Sequence, residues 1–462
     1  MLLLSALVFS LADFNDFYTA VTAAKDWILK YFGWLFSYAS FAAVILIVWV
    51  WFSPLGIGGP GAKPILNRWN WFSITLCTTI AVGILFWGVA EPMFHFKGPP
   101  AFAHAEAYSD EAAEFAIASL FMHWTITPYA IYTVPALAFA LAHYNLGRPY
   151  SLSGPLSIII GKAASGRAGE LIATLGLYAL VAGVAAALGA GVMTLSGGIE
   201  AVAGVHDTLI VRFAVTLLIV MVFVASSISG LQRGIKFLSD LNTRVFLALM
   251  LFVFLAGPTL DILSLGAKGL GEYAASFIPR SLALGDRAGD QWTRDWTVFN
   301  FAQWMAWAPV TALFLGRIAL GYTVREFILF NLVAPALFGA IWMTVFGGAA
   351  INLDAKLDHA FAAALDERGP EAVIYALFNA LPFSDVVILI FIGLTFVSFV
   401  TAMDSNTLSI SNICLKKMAP GESRPRAENW IKIFWGALIG AVAFIMTATT
   451  GIDGVRMLSN LG

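Results

Sequence analysis

Apolar runs of about twenty residues recur along this chain, and they constrain its fold more than any other feature. One of them, from Asn300 to Leu320, reads NFAQWMAWAPVTALFLGRIAL and carries no charge before Arg317. A run of that length crosses the hydrocarbon core of a bilayer as a helix. Only 12% of the residues are charged, whereas soluble domains are roughly a quarter charged. The sequence therefore predicts an all-α polytopic membrane protein.

Ten apolar segments are long enough to span a bilayer, and shorter ones open and close the chain. The first dozen or so residues are too short to span and lack the basic flank of a signal peptide, so we interpret them as a clipped first helix. Residues 450–462 begin another helix. The segments from Leu263 to Asp295 and from Leu353 to Asp385 are expected to lie along the outer surface as short amphipathic helices. The predicted spans cover about residues 33–52, 70–92, 115–143, 170–195, 207–229, 244–262, 297–316, 327–350, 384–403 and 430–449.

Lysine and arginine are unevenly shared between alternate loops. The loops on the side of the amino terminus, such as those with Lys63 and Arg68, carry more of these residues than the opposite loops. The positive-inside rule therefore predicts a cytoplasmic amino terminus in the cell inner (plasma) membrane. Arg212 lies near the outer end of its helix, where its side chain is expected to snorkel to the interface.

Several function classes lack support in the sequence. The formal net charge of −2 and the absence of a basic tract exclude nucleic acid as an expected partner. The two cysteines, Cys77 and Cys414, imply neither a disulfide framework nor a metal site. Catalytic motifs such as HExxH and GxSxG are absent, so an enzyme is not predicted. A channel is harder to exclude, although no filter-like repeat is present.

Two segments combine clustered aromatic residues with proline. Trp304 and Trp307 share a helix face just before Pro309, which cannot continue a helix undisturbed. In MHWTITPYAIY, Trp124, Tyr129 and Tyr132 fall within one face of a helix that Pro128 is expected to break. Aromatic residues also occur as lipid-facing bulk or as interfacial belts. The repeated pairing of aromatic residues with proline favours a binding site over that alternative.

Charged residues within or beside the spans have two interpretations. Glu91 and Asp404 sit at span ends, where an interfacial cap or a solvated face explains them at least as well as a gating role. His123 is expected to be a packed, hydrogen-bonded residue rather than a proton relay, although proton coupling would favour the relay.

Six strings occur in one order and together identify a resemblance to the betaine/choline/carnitine transporter family: FWGVAEPMFHF, HWTITPYAIY, GIKFLSDLN, QWMAWAPV, GRIALGYTVREF and FVTAMDSNT. The resemblance implies an inverted five-helix-repeat (LeuT-like) transporter core with about twelve membrane helices, here with the first and last shortened, and usually a homotrimer. The implied division is residues 1–69 outside the core repeats, 70–262 as the first repeat, 263–295 as an external segment, 296–449 as the second repeat, and 450–462 as the start of the last helix.

The resemblance also implies a substrate and a site. A quaternary ammonium group cannot donate hydrogen bonds, and aromatic faces recognise it by cation–π contacts. Gln303 stands where the family usually has tryptophan, and Tyr129 stands where tryptophan is common. The expected function is secondary transport of a betaine, choline, carnitine or dimethylsulfoniopropionate type of solute. The alternative is an amino acid or organic cation on the same fold. The implied substrate-binding residues are Trp124, Tyr129, Tyr132, Gln303, Trp304 and Trp307.

Sodium coupling needs hard oxygen ligands, and this chain has few at the family's positions. Of the glycine-rich break expected in the third span, only Gly83 remains, although Thr79 supplies a hydroxyl. Thr401 survives, but Ala402 follows it where sodium-driven relatives carry serine. We therefore predict sodium-independent transport, by exchange, uniport or proton symport, with no cofactor and no confident metal site. Asp404 and Ser405 are candidate gating residues.

Overall fold

The structure is a computed structural model, and it describes residues 13–79, 81–229, 232–285, 290–414 and 428–449. Within these ranges the regular structure is helical, apart from one isolated antiparallel bridge between Gly56 and Thr323. The predicted first helix, up to residue 12, and the predicted start of the last helix lie outside the described residues.

The α-helices of the described residues are, in chain order, α1 (Phe14–Val50), α2 (Arg68–Thr79), α3 (Ala81–Lys97), α4 (Asp110–Trp124), α5 (Ile126–Ala140), α6 (Ser157–Ile160), α7 (Arg167–Ala203), α8 (Leu209–Ser229), α9 (Gln232–Ala256), α10 (Thr259–Ser281), α11 (Gln291–Thr293), α12 (Phe299–Arg317), α13 (Val324–Ile328), α14 (Ala334–Lys356), α15 (Ala360–Arg368), α16 (Val373–Asn379), α17 (Ser384–Ile413) and α18 (Asn429–Thr449). Short 3₁₀ turns lie at Ala101–Ala103, Gly161–Ser165 and Pro370–Ala372, and π-helical turns at Leu141–Asn145, Arg294–Val298 and Leu329–Val333.

Apolar helices of membrane-spanning length dominate the described chain. Nine helical stretches there are long and apolar enough to cross a bilayer, and the bent pair Arg68–Thr79 and Gly83–Lys97 forms a tenth span. Each of them overlaps one of the ten predicted spans. The predicted all-α polytopic membrane fold is confirmed.

The buried side chains form two main hydrophobic clusters, and the functional residues lie near their boundary. The larger cluster joins α4, α5, α12 and α14, whereas the second is centred on α7, α8, α17 and α18. Trp87 and Trp307 pack against both clusters. A side chain that contacts both clusters would sense any movement of one against the other.

The third span changes direction at its centre. The two helical parts, Arg68–Thr79 and Gly83–Lys97, meet at an angle of 55°. The Thr79 hydroxyl donates to the carbonyl oxygen of Thr75 at 2.8 Å, which satisfies that hydroxyl locally. Glycine is required at position 83, since a Cβ there would lie 2.4 Å from the Trp124 ring.

The two expectations about proline have different outcomes. The helix breaks at Thr125 (φ −120°, ψ −114°), between Trp124 and Tyr129 as expected, and Pro128 falls in the first turn of α5. Proline is tolerated there because the first backbone N–H groups of a helix have no partner within it. Helix α12 continues through Pro309, and the irregular π turn lies upstream at Arg294–Val298. The expected defect at Pro309 is therefore wrong in position.

The two outer segments fold differently from each other. The second forms the short helices predicted, α15 and α16. The first forms a single helix of 23 residues, Thr259–Ser281, which starts before the predicted boundary at Leu263. Gly257 and Pro258 separate it from the preceding span. Its glycines allow close packing, since a Cβ on Gly269 would lie 2.5 Å from Ile117 on α4.

Arg212 reaches back past the start of its helix. Its guanidinium pairs with Asp207 at 2.6 Å and lies 3.7 Å from Glu371, and Nη1 donates to the carbonyl oxygen of Thr447 at 2.6 Å. The side chain is 17% exposed. Carboxylates on neighbouring segments therefore hold its charge, and snorkelling to the interface stays a prediction.

Stability is expected to fall as the pH rises from about 4.5 to about 7 because of Glu371. Burial raises the pKa of this carboxyl from 4.5 to about 7, despite the nearby Arg212. The folded protein therefore holds a proton that the unfolded chain releases, so this stabilisation is present below about pH 4.5 and is lost towards pH 7. The loss is at most about 3 kcal/mol, since one pKa unit corresponds to about 1.4 kcal/mol.

A thermal unfolding series from pH 5 to pH 8 in detergent measures this effect. We expect Glu371→Gln to flatten the pH dependence of Tm, because glutamine stays neutral throughout. Glu367→Gln on the exposed surface of α15 is the matched control and should keep the wild-type dependence. An unchanged slope in Glu371→Gln would contradict the assignment.

Candidate functional site

Three aromatic rings surround the ring of Trp304, and the four rings belong to three helices. The Trp304 ring centroid lies 5.6 Å from that of Trp124, 6.1 Å from that of Tyr129 and 5.0 Å from that of Tyr132. All four side chains are buried. We call these four residues the aromatic cluster. The sequence predicted that Trp304 would face the other three rings, and the structure brings them together.

Local geometry explains how the two halves of the HWTITPYAIY motif reach the same ring. Trp124 ends α4, whereas Tyr129 and Tyr132 lie one turn apart on α5. The break at Thr125 interrupts the helix between them, and the Thr125 hydroxyl donates to the carbonyl oxygen of Phe121 at 2.5 Å. Trp124 and the two tyrosines therefore contact Trp304 from either side of this break.

Hydrogen bonds fix both indoles of the aromatic cluster. Trp304 Nε1 donates to the backbone carbonyl of His123 at 3.1 Å, and Trp124 Nε1 donates to Glu91 Oε2 at 2.7 Å. The Tyr129 hydroxyl is fully buried near Thr79 and forms no well-aligned hydrogen bond with the described residues. A buried hydroxyl without a well-aligned partner costs free energy, so it is available to an acceptor group of a ligand.

Trp307 makes no ring contact with this cluster, and Gln303 directly precedes Trp304 on α12. A Cβ on Gly183 of α7 would lie 2.8 Å from Trp307 Nε1, so this indole packs directly on the α7 backbone. Both side chains are half-buried. The Gln303 amide makes no hydrogen bond within the described part of the chain, which leaves its polar atoms available.

Glu91, His95 and His123 form a second group behind Trp124, which we call the Glu91 cluster. Glu91 Oε1 lies 2.6 Å from His123 Nδ1 and 3.5 Å from His95 Nε2. The side chains are 0 to 1% exposed. The interpretation of Glu91 as an interfacial cap or a solvated face is therefore wrong, because α4 and its neighbours cover it. The expectation that His123 is packed and hydrogen-bonded is confirmed.

The segment before α12 completes the surroundings of the Glu91 cluster. Trp292 Nε1 donates to His95 Nδ1 at 3.3 Å, and the Thr297 hydroxyl lies 3.0 Å from His123 Nε2. The Trp296 ring stands edge-on to His95 with centroids 4.5 Å apart. Sequence reasoning missed His95, Trp292 and Thr297. The spacing of Glu91 and His95, four residues apart on one helix face, was the available signal for the first of them.

The candidate gating and ion positions are also enclosed. Asp404 is 2% exposed and accepts a hydrogen bond from the Ser226 hydroxyl at 2.8 Å, so the solvated interpretation of Asp404 is wrong as well. Ser405 is 8% exposed. The Thr401 hydroxyl donates to the carbonyl oxygen of Val397 at 2.8 Å within its own helix.

The packing of the rings limits where a ligand can bind. An aromatic face holds a cation within about 6 Å of its centroid. The rings around Trp304 are already 5.0 to 6.1 Å apart, so no trimethylammonium group fits between them. A ligand must lie on an outer face of the aromatic cluster or separate its rings.

Comparison with known proteins identifies the family of this chain. A profile of the family described as BCCT, betaine/carnitine/choline family transporter, matches residues 1–462. The chain belongs to this family. The resemblance stated from the six strings is therefore confirmed.

Individual BCCT relatives are similar over almost the entire chain. An ectoine/hydroxyectoine transporter from Virgibacillus pantothenticus is 32% identical over 432 residues, 93% of this chain and 84% of the relative. Glycine betaine transporter 1 from Vibrio parahaemolyticus is 32% identical over 467 residues, 99% of this chain and 86% of the relative. The high-affinity choline transport protein of Escherichia coli is 30% identical over 464 residues, 97% of this chain and 66% of the relative. This BCCT chain is accordingly a multi-pass membrane transporter and not an enzyme.

Proposed function

We propose that this BCCT transporter carries a quaternary-ammonium or related zwitterionic compatible solute, of the betaine, choline, carnitine, ectoine or dimethylsulfoniopropionate type. The central observation is the contact of Trp304 with three other aromatic rings. Such faces attract a diffuse positive charge that has no hydrogen to donate. The alternative of an amino acid or another organic cation is not favoured, because the three relatives above are named for ectoine, glycine betaine and choline.

The polar groups beside the aromatic cluster suit the other end of a zwitterion. The Tyr129 hydroxyl is buried near Thr79 and forms no well-aligned hydrogen bond with the described residues, and the Gln303 amide is half-buried one residue before Trp304. A carboxylate that accepts from either group would orient the solute with its ammonium against the Trp304 face. When Tyr129 is the donor, the two ends of the solute bind different helices, and the ligand links α5 and α12 during alternating access.

Transport is proposed to be independent of sodium. The stretch of α7 from Leu180 to Gly191 has no hydroxyl side chain, and Ala402 follows Thr401 on the facing helix α17. The two helices touch near this level, since a Cβ on Gly191 would lie 2.4 Å from the Phe399 ring. Fewer hard oxygen ligands therefore line this contact than a sodium site requires.

Uptake by reconstituted protein tests substrate and coupling together. Proteoliposomes are given radiolabelled glycine betaine, choline, carnitine or ectoine, with and without an inward sodium gradient. We expect saturable uptake of at least one of these solutes and the same initial rate in both conditions. Absence of uptake and exchange for all four would contradict the substrate class, whereas a steep sodium dependence would contradict only the coupling.

The assembly and orientation are part of the same proposal. We propose a homotrimer in the cell inner (plasma) membrane with a cytoplasmic amino terminus, and we keep residues 70–262 and 296–449 as the two inverted repeats. Native mass spectrometry in detergent measures the number of chains. Accessibility of an amino-terminal tag to protease in oriented vesicles measures the topology.

A further inference from the structure

The Glu91 cluster consists of buried titratable side chains that have no role in the transport function proposed above. We propose that this cluster binds one proton and that the proton competes with the positively charged end of the solute at the aromatic cluster. The inference rests on the proposed function, because it concerns the solute that binds beside Trp304. Ionisable side chains inside membrane segments are costly and usually functional.

Hydrogen-bond geometry fixes the resting arrangement of protons. Glu91 receives the Trp124 indole N–H at 2.7 Å and faces His123 Nδ1 at 2.6 Å, so His123 carries its hydrogen on Nδ1. Its other nitrogen, Nε2, then accepts from the Thr297 hydroxyl at 3.0 Å. These assignments follow from the neighbours of each ring nitrogen. They describe an ionised carboxylate beside two neutral imidazoles.

A metal ion is a poorer occupant of the same place. The ligand atoms of Glu91, His95 and His123 lie within 4.8 Å of one another, which is compatible with a metal site. However, Trp292 donates to Nδ1 of His95 at 3.3 Å, so Nε2 of that ring bears its hydrogen, 3.5 Å from Glu91 Oε1. A nitrogen that carries a hydrogen cannot coordinate a metal.

The charged groups around the Glu91 cluster are compatible with one added proton. Arg280 of α10 is the cation that acts on both Glu91 and His95, and Tyr273 and Glu272 of the same helix act on Arg280. The guanidinium lies 4.8 Å from the Phe115 ring and donates to Ser119 at 2.7 Å. With Glu91 ionised and both imidazoles neutral, the carboxylate and Arg280 balance. A proton adds one net positive charge, and a second would meet strong repulsion.

A route for the proton leads from a cavity beside Thr297. This cavity of about 200 Å³ is bordered by Arg280, Asp290, Trp292, Thr293 and Thr297, so a second carboxyl group faces it besides those near Glu91. A volume of that size is large enough for several waters. Thr297 borders the cavity with one side and contacts His123 Nε2 with its hydroxyl. A proton from water there reaches Nε2 through the Thr297 hydroxyl, which gives up its hydrogen and takes another.

Proton binding changes the site in one balanced step. Nε2 of His123 gains the proton, and the resulting imidazolium keeps its Nδ1 hydrogen bond to the Glu91 carboxylate. Nε2 then donates to the Thr297 oxygen instead of accepting from it. Release reverses these changes and returns the proton to the cavity. Because the carboxylate and imidazole interact strongly, the proton belongs to the pair rather than to one residue.

The same residues hold the aromatic cluster, which links the proton to the solute. Glu91 anchors the Trp124 indole, and the His123 carbonyl anchors the Trp304 indole. The ammonium group against Trp304 is therefore only a few side chains from the imidazolium. Like charges at that separation repel through the protein interior, so each disfavours the other.

Equilibrium binding across pH 5.5 to 8.0 tests the inference with purified full-length protein and two probes, choline and glycine betaine. We expect choline affinity to be roughly tenfold weaker at pH 5.5 than at pH 8.0, and glycine betaine affinity to change less because its carboxylate offsets the charge. Adding choline to weakly buffered protein near pH 6.5 should also release protons into the medium.

Three variants separate a proton site from a merely structural one. Glu91→Gln cannot hold His123 as an imidazolium, so its affinity should be independent of pH and its proton release lost. Glu91→Asp keeps the charge and should retain the pH dependence. If it does, the loss of pH dependence in Glu91→Gln results from the missing charge and not from a disturbed fold. The exposed Glu200–His206 pair, with atoms 3.4 Å apart, supplies the control Glu200→Gln, which should behave as wild type.

Different binding results would contradict the proton site and the proposed transport function. Wild-type protein that binds choline with the same affinity throughout the pH range overturns the proton site and leaves the transport function standing. Retention of the full pH dependence by Glu91→Gln also overturns it. Wild-type protein that binds no solute at any pH contradicts the proposed function instead.

Discussion

Alanine in place of Trp304 is expected to weaken solute binding by about 2 to 3 kcal/mol, which is roughly 30-fold to 150-fold in Kd. Trp304 is the only member of the aromatic cluster that contacts the other three rings. Its removal therefore eliminates a cation–π face and also releases Trp124, Tyr129 and Tyr132 from their common support. Isothermal titration with the preferred solute measures the loss directly.

Further substitutions separate these two contributions. Trp304→Phe keeps an aromatic face but loses the Nε1 hydrogen bond to the His123 carbonyl, so we expect an intermediate affinity. Trp307→Ala should cost less, about 1 kcal/mol, because Trp307 packs on α7 rather than within the aromatic cluster. Trp49→Ala is the matched control, since that side chain is 73% exposed on α1.

The fold of each variant must be checked separately from its affinity. Truncation of a buried tryptophan commonly destabilises a protein by about 3 to 5 kcal/mol. Size-exclusion profiles and Tm of the detergent-solubilised protein identify variants that remain folded. A folded Trp304→Ala protein with wild-type Kd would remove Trp304 from the binding site.

The membrane spans were predictable from sequence because their cause is local. In a bilayer each backbone N–H and C=O must be satisfied within the segment, so an apolar run such as Asn300–Leu320, with no charge before Arg317, has few alternatives to a helix. The meeting of Trp304 with Trp124, Tyr129 and Tyr132 was also foreseen, because the motifs that carry these residues fall in the order of a known family.

The surroundings of these rings were not predictable in the same way. Whether Glu91 caps a helix in water or bonds His123 in the interior depends on how α3 and α4 pack, which a single sequence does not specify. Arg212 posed the same difficulty, since Glu371 reaches it from a distant part of the chain. The helix passes through Pro309 because neighbouring helices override the local preference for a break, whereas the break at Thr125 lies where Pro128 cannot donate to the carbonyl of Trp124.

Alanine in place of Gly83 is expected to impair solute binding at least tenfold while the protein remains stable. A Cβ at this position would lie 2.4 Å from Cζ3 of Trp124 and 2.7 Å from Cη2. The indole cannot easily move aside, since Glu91 holds its Nε1 and Trp304 packs against its ring. Relief of the clash therefore requires Trp124 to rotate out of the aromatic cluster or α3 to move.

Helix propensity predicts that alanine at position 83 stabilises α3, whereas the clash with Trp124 disturbs the binding site. Alanine favours a helix over glycine by about 1 kcal/mol, so the change does not weaken α3 as a helix. Gly393→Ala is the matched control, because a Cβ there meets nothing within 4 Å in α17. We expect this control to bind solute normally and to be at least as stable as wild type.

A double substitution identifies the ring as the cause. Phenylalanine at position 124 lacks the outer ring atoms that a Cβ on Gly83 would strike, so Gly83→Ala should cost much less affinity in a Trp124→Phe background than in wild type. The coupling between the two substitutions, measured by a double-mutant cycle of Kd values, is expected to exceed about 1 kcal/mol. Additive losses would show that Gly83 acts on the backbone bend of the third span rather than on Trp124. Non-additive losses would show that Gly83 is needed because it leaves space for Trp124 to pack beside Trp304.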